Sequence, residues 1–140
     1  MRPLAFLKTS KLQEEITHET SKILNDYRDQ IYFEKPLSGG KDGRYVFADD
    51  EGYHYIVCER GERMVNKLTD DLFDVKFWTI YPIVVSLSFE FASKYNLSAE
   101  EDPRVIAFPK QIEYLKEIHP NFAKRGEIEQ DEILRNNPIH

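Results

Sequence analysis

"RYVFADDEGYHYIVCERGERMVNKL", Arg44 to Leu68, is the stretch whose reading decides the fold. Three runs rich in aromatic and β-branched residues, "RYVFA", "YHYIVC" and "RMVNKL", are separated by "DDEG" and "ERGE". Strand-forming runs broken by short segments of Asp, Glu and Gly predict hairpins, so these residues read as an antiparallel β meander. Upstream, "IYFE" at 31–34 offers a fourth short strand, and "LSGGKDG" at 37–43 has the composition of a loop.

On either side of the meander the period changes from two to that of a helix. "KLQEEITHETSKILNDY" sets Leu12, Ile16, Thr20, Ile23 and Tyr27 on one stripe, which predicts a first amphipathic helix over about residues 9–28. After the meander, "TDDLFDVKFWTIYPIVVSLSFEFASKY" is apolar on most of its circumference and has Thr69, Asp70 or Asp71 available as its cap. Pro82 lacks an amide donor and is expected to kink or split this helix. "EDPRVIAFPKQIEYLKEIHP" offers Asp102 as a cap, Pro103 at the first helical position and a stripe of Val105, Phe108, Ile112, Leu115 and Ile118, with Pro109 expected to delay its regular start. A fourth helix follows, interrupted or weakened at Gly126 and ended before Pro138. The fold class is therefore α+β: an N-terminal helix, an antiparallel meander of three or four strands, then three to four packed helices.

The chain has 140 residues, a length expected for a single domain over 1–140 with one core of its own. Its one cysteine forms no internal disulfide, and charge returns at Lys8, too early for a secretory signal, so a reducing cytoplasm is expected. The longest uncharged run, Phe77 to Phe89, is 13 residues, against the roughly 20 of a membrane-spanning helix, and reads as a core helix. A formal charge of −6 argues against nucleic acid as a partner, because such binding rests on basic residues displacing counterions. The acid is concentrated in residues 44–75, which hold eight acidic and four basic side chains.

The same stretch holds the residue types of thiol chemistry. His54 and Cys58 on one strand point to the same face, but four residues at about 3.3 Å each separate them by roughly 13 Å, so they form no direct dyad. A histidine from elsewhere, His18 or His119, would have to activate Cys58, and neither sits in a recognisable signature. Cys58 reads as a small strand residue. The four histidines show no zinc spacing, "DDEG" is not a calcium loop, and "GGKDG" is not a phosphate cradle, so no metal or cofactor is expected.

Taken in order, three segments carry a resemblance: "YHYIVCERGE", "LTDDLFDVKFW" and "RVIAFPKQIEYLKEIHPNFAKR". The matching positions are Glu59, Arg60 and Gly61; Thr69, Asp71 and Leu72; Trp78; and Phe108, Lys110, Gln111, Glu113 and Pro120. The set resembles bacterial immunity proteins of immunity protein family 63, over roughly residues 44–137. The resemblance implies a small cytoplasmic antitoxin that neutralises a cognate polymorphic toxin by stoichiometric binding, with no catalysis of its own. The acidic turns Asp49, Asp50 and Glu51, with Glu59 and Glu62, are the expected toxin-facing patch, complementary to the basic cleft of a nuclease. Arg60, Gly61, Asp71, Leu72, Trp78, Phe108 and Gln111 are expected to serve as family-motif and structural positions. Two other classes stand beside this one: a small enzyme using Cys58, and a structural or adaptor subunit of a larger assembly.

Overall fold

The computed structural model describes residues 6–24, 31–38 and 40–140. The meander forms as the sequence predicts. Strands β2 (Gly43–Asp49), β3 (Gly52–Glu59) and β4 (Glu62–Thr69) pair antiparallel in chain order. A two-residue β1 (Ile31–Tyr32) joins the far side of β2, so the sheet runs β1-β2-β3-β4. This first strand is shorter than the expected 31–34 and lies parallel to β2, with Ile31 opposite Arg44 and Tyr32 opposite Tyr45. A tight turn would have reversed the chain; the longer connection carries it back beside the start of β2 instead.

Local backbone chemistry explains both hairpins. Arg60 (φ 52°) and Gly61 (φ 78°) are both left-handed, the two-residue turn whose twist matches the flanking strands. The Arg60 amide donates to Asp42 Oδ1 at 2.8 Å, which holds that turn to the segment before β2. At the other hairpin, Gly52 has φ 136°, and a Cβ there would lie 2.6 Å from the Thr69 carbonyl oxygen. Only glycine lets β3 pass the end of β4 so closely. One register slip follows Val57: Val57 faces Val65 but Cys58 faces Arg63, leaving Met64 as a bulge on β4.

Two compact units divide the chain at Ile80/Tyr81, inside helix α2 (Leu72–Ala92). In the first, helix α1 (Thr9–Thr20) and the opening turns of α2 cover one face of the sheet. Thr9 Oγ1 donates to the Ala48 carbonyl and accepts from its amide, and Lys76 Nζ donates to Glu15 at 2.9 Å and Glu19 at 3.3 Å. The predicted stripe Leu12, Ile16 and Thr20 is buried, but the helix ends at Thr20 rather than 28. Thr20 and Ser21 hydroxyls turn back onto the carbonyls of Ile16, Thr17 and His18, competing with helix propagation. The remainder of the expected helix, residues 25–28, lies outside the described residues.

Helix α2 begins at a cap supplied by Asp71, whose Oδ1 accepts from the Phe73 amide at 2.9 Å. Thr69 Oγ1 accepts from the Asp71 amide and donates to Asp74 Oδ2. Of the two outcomes expected at Pro82, a kink or a split, the split does not occur: the residue stays within one 21-residue element. The expected cost of an interior proline, about 3 kcal/mol, is set against deep burial of residues on both sides of it, including Ile80 and Val84 at 0% exposure. By length and composition α2 is sufficient to cross a membrane; its Val75, Ile80 and Val84 are fully buried, as expected of a core helix.

The second unit packs the rest of α2 with α3 (Arg104–Ile118) and α4 (Pro120–Asn136). Asp102 caps α3 as predicted, accepting from the Arg104 amide at 2.9 Å, and Pro103 already has helical angles. Pro109 does not delay the helix, which is regular from Arg104. Val105, expected on the buried stripe, is 58% exposed, and Ala107 and Gln111 are buried instead. Gly126 does not interrupt α4. A Cβ there would lie 2.4 Å from Leu115 Cδ1 and 3.4 Å from Ile112 Cδ1, so the missing side chain permits close approach of α3 and α4. His119 Nδ1 accepts from the Asn121 amide and caps α4.

Candidate functional site

A meander puts successive turns at opposite ends of its sheet, and this decides where the acidic residues lie. Asp49, Asp50 and Glu51 sit at the β2–β3 turn, while Glu59 and Glu62 face each other at the β3–β4 turn. The eight residues of β3 lie between them, about 23 Å at about 3.3 Å per residue. The five acids therefore form two separate groups rather than one patch. Position along the chain brought them together in the sequence reading; strand direction keeps them apart.

The two groups border opposite ends of the sheet face turned away from α1 and α2. Pairing lays this face out in rows: Phe47, His54 and Leu68; Tyr45, Ile56 and Asn66; Gly43, Cys58 and Arg63. Asp49 stands beyond the first row. Tyr45, Phe47, Ile56 and Cys58 form a buried cluster with Tyr32 packed against it. Over this floor runs a groove of about 390 Å³, with Asp49, Glu51 and His54 at one end and Lys35 and Arg63 at the other. A second hollow of about 560 Å³ continues it past Arg63 and Cys58 to Pro36 and Leu37.

The acidic end is locally organised. His54 stacks on Phe47 with ring centroids 4.4 Å apart, and its Nε2 lies 2.8 Å from Asp49 Oδ1. That oxygen also accepts from the Glu51 amide. Partial burial pushes the Asp49 carboxyl upward, but hydrogen bonds from His54 and from the Glu51 and Gly52 amides outweigh it and hold the group below the usual aspartate range. Asp49 is thus a charged anchor of the turn, while Asp50 and Glu51 are its exposed tip.

The remaining motif positions have structural work. Arg60 and Gly61 make the β3–β4 turn, Asp71 caps α2 and Leu72 opens it. Trp78 lies 6.2 Å from Tyr55, centroid to centroid, with Lys67 Nζ 5.0 Å above its ring. Phe108 is buried on α3, and its carbonyl accepts from Gln130. Gln111, 1% exposed, lies at the centre of a buried chain running from Gln130 to Ser88. Sequence reading passed over Arg44, which is 7% exposed and donates to the Thr79 carbonyl at 2.7 Å and to Tyr55 Oη at 3.2 Å. Its signal was an arginine opening an apolar strand. Ser88 and Gln130 were also missed, being single polar residues on otherwise unremarked helix faces.

Cys58 is 4% exposed and belongs to the sheet cluster, the place expected of a small apolar residue. Among the described residues no three His, Cys, Asp or Glu side chains gather as a metal site.

The family profile of immunity protein 63 matches residues 49–132. The chain belongs to that family. The matched span starts at the acidic turn and takes in β3, β4, α2, α3 and most of α4. It is narrower at both ends than the 44–137 expected from the motifs. Neither a search of curated proteins nor one of solved structures found a match. Membership assigns this immunity protein 63 chain to toxin immunity, and its motif residues Arg60, Asp71 and Gln111 can be understood as turn, cap and buried bridge.

Proposed function

We propose that this immunity protein 63 chain is a cytoplasmic antitoxin that binds a cognate polymorphic toxin one to one and blocks it without turnover. The family match over residues 49–132 carries the reading. The net charge of −6 and the exposed acids Asp50 and Glu51 favour a toxin with a basic active-site cleft, such as a nuclease. Complementary charge of this kind accelerates encounter and disfavours wrong partners.

Co-expression with the product of the gene immediately upstream tests the role: growth restored by this chain supports it, and growth arrest despite a folded, abundant chain refutes it. Asp50→Ser with Glu51→Ser then tests the acidic tip without disturbing Asp49, which holds the turn. The expected result is slower association by about 3- to 10-fold at low salt, a weaker salt dependence and a nearly unchanged dissociation rate. An association rate equal to that of the unmodified chain would remove the acidic tip from the interface.

A further inference from the structure

β4 is the outermost strand of the sheet, and among the described residues no strand pairs with its free edge. Six of its eight residues are exposed. Such an edge presents backbone donors and acceptors ready for another strand, and proteins normally guard it with charge or bulges. Here Glu62, Arg63, Lys67 and the Met64 bulge guard against indiscriminate pairing. Along the same edge, Met64 at 59% and Leu68 at 49% exposure still present apolar side chains.

The groove lies directly beside this edge. Leu68, Asn66 and Arg63 form its outer wall, and its two ends carry opposite charge. From the row of Asp49 to the row of Arg63 is three two-residue steps, about 20 Å, the span of about six extended residues. We propose that the β4 edge and this groove together dock an extended segment of the toxin, which adds a strand to the sheet. Alternate side chains of that segment enter the groove: a basic one toward Asp49 and Glu51, an apolar one beside Leu68, and an oxygen-bearing one toward Arg63 and Lys35.

A second copy of this chain is the weaker occupant. Two molecules at −6 repel, and antiparallel pairing that sets Met64 against Leu68 of the other copy also sets Glu62 against its Asp70. A toxin of opposite charge has neither penalty. This inference rests on the antitoxin reading, but its test separates the two.

The experiment uses the full chain and the upstream gene product, inactivated by mutation if necessary. Backbone hydrogen exchange is measured with and without it, together with the affinities of Leu68→Asp, Met64→Asp and the control Ile128→Asp, which alters an exposed residue of α4. The expected result is slowed exchange along β4 on binding. The two β4 variants should weaken affinity at least about 30-fold, with melting temperatures near that of the parent and the control unchanged. Unchanged β4 exchange overturns the strand-pairing proposal, even if side-chain variants lose affinity. So does unaltered binding by both folded variants, or a toxin-free dimer dissolved by Leu68→Asp. If the unmodified chain does not bind the upstream product, the antitoxin reading fails first and the docking assignment with it.

Discussion

Replacing Gln111 by leucine should destabilise the second unit through hydrogen bonds rather than volume. Gln111 Nε2 donates to Ser88 Oγ at 3.0 Å, and its Oε1 accepts from Gln130 Nε2 at 3.0 Å. Ser88 passes its own proton to the Val85 carbonyl at 2.7 Å, and Gln130 also donates to the Phe108 carbonyl at 2.9 Å. Leucine is no smaller than glutamine, so no sizeable cavity is left. It leaves the Ser88 oxygen without its donor and one Gln130 amide hydrogen without its acceptor, both in a buried setting. At about 1 kcal/mol or somewhat more for each unmet group, the expected loss is about 2–3 kcal/mol. Gln130→Leu should cost about 1–2 kcal/mol by the same reasoning. The double variant removes both ends of the shared bond, so it should fall short of the sum by about 1 kcal/mol or more. Urea unfolding followed by circular dichroism reads all three values from the midpoint at constant slope. A Gln111→Leu loss below about 0.5 kcal/mol, or strict additivity in the double variant, would refute the account of a coupled buried chain.

Two further perturbations have definite signs. Gly126→Ala gains about 1 kcal/mol of helix propensity but forces a methyl into the space of Leu115 Cδ1, on a side chain with 0% exposure. Overpacking costs of about 1–3 kcal/mol should win, giving a net loss near 1 kcal/mol in urea unfolding; a gain in stability would show that Leu115 has room to yield. Hydrogen bonds from the Arg104 side chain and amide hold the Asp102 carboxyl below the usual range. Its contribution is therefore fully present above the unfolded aspartate value and is lost as pH falls from about 4 through the lower folded value. Asp102→Asn should flatten that part of the acid-unfolding curve while keeping a cap, and an unchanged acid limb would remove the pair as a source of stability.

The meander was legible because its evidence is local: two turn segments with glycine between runs of strand formers, and the turns fall where those residues stand. Helix capping at Asp102, and at one of Thr69, Asp70 and Asp71, was legible for the same reason. The split expected at Pro82 and the interruption expected at Gly126 fail to appear for one reason. Each residue was judged by its local cost, whereas burial around Pro82 and the approach of Leu115 to Gly126 belong to tertiary structure. Of the candidate site, the residue types were readable but not their grouping. The meander already implied that its two acidic turns lie a strand length apart, a consequence the grouping of the five acids overlooked; nothing in the order of residues 49–62 states that Arg63 and Lys35 close the groove that Asp49 opens.

Thr69 connects the acidic hairpin to the helix beyond it. Its carbonyl occupies the space that a side chain on Gly52 would need, and its hydroxyl ties the start of α2 through Asp71 and Asp74. The base of the hairpin therefore tolerates little change, while Asp50 and Glu51, standing beyond it, carry no such obligation. Two neighbouring positions at the tip of this frame can therefore be rewritten without re-solving how the chain folds.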